Sequence, residues 1–253
     1  MDRPYLVIFG SASVDGRLTI APDVLLLHGD ERWNAVAGGG EAMYEWLKST
    51  HKPQAFLEGS LSFARSGDPI SPLPPFEGDP ASLYEDFLPD AIINRPGHRG
   101  WFTAVDSQGR IRWDYKEFPT EEWAGWYAMV LVARQTPPEY LAYLRREDIP
   151  YLVAGEARVD LRQGVEKMRL LLGVERVVST SPGKLGGALV RAGLVDEINL
   201  NFFPALIGGT HTPVLFEAPD LLPEELPVRL KLLLAQVLAN GHVWLRYAVE
   251  KES

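Results

Sequence analysis

Short apolar runs alternate with amphipathic stretches through the second half of the chain. The apolar runs are rich in β-branched residues and bounded by turn residues, which predicts buried strands; they are residues 126–133, 150–155, 176–181 and 197–204. The stretches between them place apolar residues at helical spacing; they are residues 137–148, 160–173 and 184–193. Repeated strand–helix–strand order implies a mostly parallel sheet with helices on its faces.

The rest of the chain adds strands at both ends and one irregular stretch. Residues 5–13 and 54–60 predict strands, 38–50 a glycine loop running into a helix, and 100–113 a strand, a turn and a second strand. The final stretch, 228–250, predicts a hairpin around "ANGH". We therefore expect one three-layer αβα domain over residues 1–253, with an antiparallel C-terminal hairpin and a Pro/Gly-rich excursion at about 64–99.

Composition narrows the functional classes. The 253 residues carry a net charge of −9 and no basic run, which argues against a nucleic-acid partner. Cysteine is absent, which excludes disulfides, thiolate metal sites and a cysteine nucleophile. The five histidines lack metal-ligand spacing, so no metal is expected. The N-terminal apolar run is too short to span a membrane and lacks a signal-peptide layout, so we expect a soluble, cytoplasmic protein.

Polar residues follow most of the predicted strands. Ligands of open α/β sheets bind at the carboxyl ends of the strands, so these positions predict a ligand crevice. The residues concerned are Ser11, Ser13, Asp15, Gly59, Ser60, Ser62, Asp106, Arg134, Gln135 and the stretch 179–183.

The turn "STSPGKLGG" (179–187) admits two interpretations. Its backbone N–H groups, helped by Lys184, could bind an anion at the start of a helix. Alternatively, Ser181 is an ordinary N-cap and Pro182 the first helical residue. Asp15 similarly either caps a turn or binds a ligand, and Arg134 is either a solvated surface residue or a phosphate partner.

Five segments of the sequence match, in the same order, segments of a known protein family. They are "SASVDGRLT", "QAFLEGSLSFARSGDPI", "RPGHRGWFTAVDSQGRI", "GKLGGALVRAGLVDEINLNFFPALIGG" and "HVWLRY". Together they resemble the pyrimidine reductase family of riboflavin biosynthesis, the C-terminal half of the bifunctional deaminase-reductase, which has a dihydrofolate-reductase-like fold. The resemblance covers nearly the whole chain, in order.

The resemblance implies NADPH as hydride donor and a phosphorylated pyrimidine, a phosphoribosylamino-pyrimidine of the 5-amino-6-(5-phosphoribosylamino)uracil type, as acceptor at the ribose C1. By position it implies cofactor contacts from Ser62, Arg134, Ser181, Gly183, Lys184 and Leu185. Ser13 and Asp106 would bind substrate, and Asp15 would orient or protonate it. Related reductases pair, so we also expect a homodimer.

The chain departs from the family pattern at one informative place. Thr180-Ser181-Pro182 stands where the family carries Glu-Gly-Gly, which removes an acidic residue and one backbone N–H. The deaminase half is absent, because its zinc signature requires cysteine. Two alternatives therefore stay open: a reductase of this fold acting on a pterin or another small imine or carbonyl compound, and a non-catalytic nucleotide-binding protein.

Overall fold

A computed structural model describes residues 2–24, 29–38, 41–64, 71–117 and 120–251, without the side chain of Glu41. In chain order the elements are β1 (Tyr5–Ser13), α1 (Glu31–Ala37), α2 (Glu41–His51), β2 (Ala55–Gly59), α3 (Asp90–Ile93), β3 (Gly100–Val105), β4 (Trp126–Val132), α4 (Pro138–Arg146), β5 (Tyr151–Val153), α5 (Leu161–Leu172), β6 (Arg176–Ser179), α6 (Lys184–Arg191), β7 (Glu197–Phe203), β8 (Leu230–Val237) and β9 (Val243–Val249). No helix in these ranges is long and apolar enough to cross a membrane.

The described residues fall into two compact units. The first unit comprises residues 1–4 and 54–175, and the second comprises residues 5–53 and 176–253. Each unit therefore consists of two segments that are separated in the sequence.

The first unit contains parallel strands in the order β5-β4-β3-β2. Every residue of β4 is buried, as its continuous apolar run predicts for a strand covered on both faces. The edge strand β5 is covered by the segment before α3, where Phe87 and Tyr151 exchange backbone hydrogen bonds of 2.9 and 3.0 Å. Lys167 on α5 holds the same segment through both carboxylate oxygens of Asp86, at 2.9 Å. An edge that would otherwise expose unpaired backbone is thereby closed.

The second unit contains the order β6-β1-β7-β9-β8. Strands β6, β1 and β7 are parallel, while β9 runs antiparallel to both β7 and β8. The predicted α/β class, the mostly parallel strands and the antiparallel C-terminal hairpin are thus confirmed. So is the strand and helix order between residues 126 and 204.

One predicted strand is wrong. Residues 110–113 form no strand, although β3 ends at a turn as expected. The physical reason is local: the Asp106 carboxylate accepts the Ile111 N–H at 2.9 Å, and Arg112 donates to the Gly109 carbonyl at 2.9 Å. These bonds curl the chain back on itself and leave it no partner strand.

The predicted excursion contains short helices. A 3-10 helix at Pro80–Tyr84 and α3 lie within it, and Asp79 caps the 3-10 helix. Residues 65–70, part of the predicted excursion, lie outside the described residues.

A buried polar row runs along β7. Glu197, Asn199 and Asn201 face the same side of the strand, and each is at most 3% exposed. Arg246 donates twice to Glu197, at 3.0 and 3.1 Å, and its guanidinium lies 4.0 Å above the Trp46 ring. Glu197 is therefore satisfied by charge-assisted bonds, which is what a buried carboxylate requires.

The pKa of Glu197 reflects these partners. Burial alone would raise it, but the His51 ring nitrogen 3.6 Å away, the Asn199 amide at 2.9 Å and the Arg246 guanidinium outweigh burial. They lower the pKa of Glu197 from 4.5 to about 2. The carboxylate is therefore the form that stabilises the second unit.

Helix α6 approaches the loop at residues 213–217, which we call the strap. A Cβ added at Gly187 would lie 2.3 Å from the Glu217 carbonyl oxygen and 2.8 Å from its carbon. At Gly186 the nearest atom would be the Ser181 carbonyl oxygen, at 3.2 Å. The strap can lie against the helix only because residue 187 has no side chain.

Glu197→Gln should destabilise the protein by about 1–3 kcal/mol at neutral pH, because the partly buried Arg246 then loses its charge partner. A group with a depressed folded-state pKa contributes stability above its unfolded pKa and loses it as the pH falls. The difference between wild type and variant should therefore shrink between about pH 4.5 and about pH 2. Urea unfolding across this range measures it, and an equal difference at both ends would contradict the assignment.

Gly187→Ala should destabilise the protein by about 1–3 kcal/mol, because the added methyl group overlaps the Glu217 carbonyl. Gly186→Ala is the matched control. Its effect should stay within about 1 kcal/mol, since the better helix propensity of alanine offsets a 3.2 Å contact. Thermal and urea unfolding of both variants measure these changes. Equal losses of unfolding free energy in the two variants would show that the strap does not depend on the missing side chain at residue 187.

Candidate functional site

The turn after β1 is organised around Asp15. The Ser13 hydroxyl donates to its Oδ1 at 2.6 Å, and the backbone N–H groups of Ile207 and Gly208 donate to its two oxygens at 3.1 and 2.7 Å. The Arg17 Nε lies 3.5 Å from the carboxylate. Asp15 thus joins the turn after β1 to the loop after β7, and the structure brings the predicted residues Ser13 and Asp15 together.

These bonds determine the charge of Asp15. The Ser13 hydroxyl is the largest influence, and it holds the pKa of Asp15 far below its usual range, together with the Ile207 and Gly208 amides. The side chain is a carboxylate at neutral pH, with both oxygens engaged. Of the two predicted roles, this geometry favours orientation over proton donation.

The turn before α6 has a different cap from either interpretation of the sequence. Gly183 is the N-cap, and it makes no side-chain cap bond. The ordinary-cap interpretation, with Ser181 capping and Pro182 at the first helical position, is therefore wrong. The Gly186 N–H bonds to the Ser181 carbonyl at 3.0 Å and the Gly187 N–H to the Gly183 carbonyl at 2.8 Å.

Two backbone N–H groups at the start of α6 lack a hydrogen-bond acceptor among the described residues. They are the N–H groups of Lys184 and Leu185. A Cβ at Gly183 would lie 3.2 Å from the Leu18 side chain, so the glycine lets Leu18 approach this turn closely. Free N–H groups at a helix start, with a lysine beside them, suit a phosphate group. The residues present therefore fit a dinucleotide cofactor.

Pro182 faces the strands. A Cβ at Gly10 of β1 would lie 2.6 Å from the Pro182 ring, so the ring occupies the space that glycine leaves. The Pro182 carbonyl accepts the Phe216 N–H at 2.7 Å. Pro182 is thus packed into the second unit, and Ser181 beside it is half-buried.

The strap contacts both turns. The Leu215 N–H donates to the Gly16 carbonyl at 3.1 Å, and the Leu18 N–H donates to the Pro213 carbonyl at 3.0 Å. With the Phe216 bond to the other turn, the strap links the turn after β1 to the turn before α6. Its position fixes one turn relative to the other.

The other predicted site residues belong to the first unit. Asp106 directly follows β3 and is 1% exposed, and its Oδ2 accepts the Ile111 N–H. Its Oδ1 has no hydrogen-bond partner among the described residues. Burial raises the pKa of the neighbouring Tyr140 well above 10, and the charge of Asp106 adds to this shift. This geometry makes Asp106 the organiser of its turn, and its predicted substrate contact stays a prediction.

Ser62 and Arg134 also follow strands, as predicted. The Ser62 hydroxyl lies 3.4 Å from the buried Glu58 carboxylate, at the end of the 3-10 helix after β2. Arg134 is exposed, and its Nε lies 3.4 Å from Glu156. Their roles as cofactor contacts stay predictions, as do those of Ser181, Gly183, Lys184 and Leu185 in the second unit.

Sequence reasoning missed the strap and Arg17. Phe216 adopts φ 53°, a left-handed conformation unusual for a bulky residue, and no sequence pattern signals it. Arg17 donates to the Thr212 carbonyl at 3.0 Å. The glycine pair of "IGG" was a usable signal, because Gly208 and Gly209 have φ of 73° and 83° and shape the loop that meets Asp15.

No group of three or more His, Asp or Glu side chains that could hold a metal ion occurs in the described part of the chain.

Known proteins resemble the chain over most of its length. It is 23% identical over 91% of its length to the 2,5-diamino-6-ribosylamino-4(3H)-pyrimidinone 5′-phosphate reductase of Methanothermobacter thermautotrophicus, covering 91% of that protein. A pyrimidine reductase-like protein from Corynebacterium diphtheriae matches 98% of the chain, with TM-score 0.63, 14% identity and 93% of that structure covered. The Saccharomyces cerevisiae riboflavin biosynthesis reductase Rib7 matches 99%, with TM-score 0.61, 13% identity and 91% covered. With residues 4–244 matching the family described as the RibD C-terminal domain, the chain belongs to that family.

Proposed function

We propose that the protein is an NADPH-dependent reductase of a phosphoribosylamino-pyrimidine in riboflavin biosynthesis. The observation that carries the proposal is the start of α6, where the N–H groups of Lys184 and Leu185 have no hydrogen-bond acceptor among the described residues and lie beside the lysine side chain. Membership of the family and the reductases among its relatives support the reaction class.

The proposed reaction reduces the ribose C1 and opens the sugar to a ribityl chain, consuming one hydride and one proton. NADPH supplies the hydride when bound. The protein's own task is placement: the amides of the first two residues of α6 hold a phosphate of the dinucleotide, and the Lys184 side chain adds a positive charge. Ser62 and Arg134 are proposed as further cofactor contacts.

Asp15 is proposed as the residue that orients the substrate. Its carboxylate is fixed by Ser13, Ile207 and Gly208, so it holds the adjoining loops in one arrangement. A carboxylate with both oxygens engaged and a strongly lowered pKa makes a poor proton donor. The proton is therefore expected to come from another group or from water.

A second candidate function is a reductase of the same fold with another substrate, such as a pterin. The observation that favours it is Thr180-Ser181-Pro182, which replaces the family's Glu-Gly-Gly, with the Pro182 ring packed on Gly10. A non-catalytic nucleotide-binding protein is the remaining alternative.

The assembly is proposed to be a homodimer of single reductase domains. Strand β8 is a sheet edge, and it exposes Leu230, Leu232, Leu233 and Val237, the last at 74%. An exposed apolar edge strand is a common site of pairing with another chain. The single domain over residues 1–253 and the cytoplasmic location predicted from the sequence stay predictions.

Wild-type protein should oxidise NADPH with the phosphoribosylamino-pyrimidine and release the ribityl product, followed by absorbance and product analysis. The diamino pyrimidinone named for the relatives, the corresponding uracil and a pterin should be compared side by side. Turnover with the pterin alone would support the second candidate. NADPH binding without turnover on any of the three would support the non-catalytic alternative.

Asp15→Asn should lower kcat/KM for the pyrimidine by about 10- to 100-fold, because a carboxamide cannot accept all three donors that meet Asp15. NADPH affinity should change by less than about threefold, since the cofactor turn is left intact. The control is Asp220→Asn, which removes an exposed carboxylate of the same unit and should leave both values unchanged. Equal losses of NADPH and pyrimidine binding would contradict a role for Asp15 on the substrate side.

Leu232→Lys should convert a dimer to monomer at micromolar protein, because it places a charge on the apolar β8 edge. Leu170→Lys is the matched control: Leu170 is also exposed, on α5 in the first unit, and its replacement should leave the dimer intact. Sedimentation velocity measures both. A monomeric wild type would refute the dimer.

A further inference from the structure

Lys184 already has an anionic partner in the second unit. Its Nζ lies 3.5 Å from the Glu217 carboxylate, and the two side chains are 66% and 45% exposed. An ion pair this exposed contributes little to stability, because water screens it and both side chains lose freedom. The pair instead affects how strongly Lys184 can bind another anion, because Glu217 already occupies it.

Glu217 is anchored at its backbone. Its carbonyl oxygen packs against Gly187, at the position a Cβ would approach to 2.3 Å. The preceding residue, Phe216, is held in a left-handed conformation at φ 53°, with its N–H bonded to the Pro182 carbonyl at 2.7 Å. The strap therefore fixes the backbone of Glu217 against α6, within side-chain reach of Lys184.

The start of α6, beside the Lys184 side chain, is electrostatically suited to an anion. Among the described residues, nothing accepts a hydrogen bond from the N–H groups of Lys184 and Leu185, and the helix dipole places partial positive charge there. A carboxylate at this end interacts favourably with that charge, as a phosphate would. Glu217 and an incoming phosphate thus share one interaction partner, the Lys184 side chain.

We infer that Glu217 sets the dinucleotide affinity of the proposed reductase: its carboxylate competes with a cofactor phosphate for Lys184 and keeps that affinity low. The inference rests on the proposed function, because it needs a dinucleotide at the turn before α6. Binding of the phosphate requires Lys184 to exchange one anionic partner for another. The residue therefore sets how tightly a dinucleotide is held without touching the reacting atoms.

Titration of NADPH against the protein's tryptophan fluorescence tests the inference. Glu217→Gln should lower the Kd for NADPH by about two- to fivefold, the range expected for an exposed ion pair. The gain should disappear when Lys184→Met is added, because the competition is for that lysine. It should also shrink in about 0.5 M salt, where the charges are screened.

Glu225→Gln is the matched control. Glu225 pairs with Arg191 at the other end of α6, at 3.3 Å and with 43% exposure, so the same charge is removed far from the helix start. It should leave the Kd unchanged. The inference is overturned if Glu217→Gln binds NADPH no more tightly than wild type, or if its gain persists in full with Lys184→Met. Wild-type protein that binds no NADPH at millimolar concentration would instead refute the proposed function.

Discussion

The close approach of the strap to α6 is the contact on which the candidate site depends. Gly187 admits the Glu217 carbonyl where any side chain would collide with it, and this brings the strap within hydrogen-bond reach of two turns. Through Pro182 the strap holds the turn before α6, and through Gly16 and Leu18 it holds the turn after β1. A single missing Cβ thus determines the spacing of the two turns for which the proposed reaction needs accurate placement.

The charged groups at the two turns differ in how firmly they are held. Asp15 is enclosed by donors and works as a fixed carboxylate, which suits a structural anchor. Lys184 and Glu217 are largely exposed and form a weak pair, which suits groups that exchange partners when a ligand arrives. Under the proposed function, a fixed carboxylate beside the substrate and an exchangeable pair beside the cofactor would agree with a protein that positions one ligand and releases another.

The polar row on β7 shows how the second unit accommodates buried charge. Glu197 would destabilise the unit if Arg246 were absent, because a buried carboxylate needs a charged or hydrogen-bonding partner. Asn199 and Trp244 continue the row with a bond of 3.3 Å, and Asn201 reaches His242 at 3.1 Å. Such a row ties β7 to β9 in one register, because a shift by one residue would bury these groups without partners.

Local pattern alone determined the class of fold and most elements of this protein. The apolar run of β4, the helical spacing of α5 with its left-handed Gly173 cap, and the hairpin around "ANGH" are properties of neighbouring residues, and they were predictable for that reason. Contacts that no periodicity shows decided the rest: the bond between the Asp106 carboxylate and the Ile111 N–H, made within one turn, replaces the predicted second strand, and the Pro182 ring packs on Gly10 of β1. Phe216 takes its left-handed conformation within the strap, and Lys184 pairs with Glu217, which is far from it in the chain. The periodicity of a sequence does not predict which distant residues will be in contact.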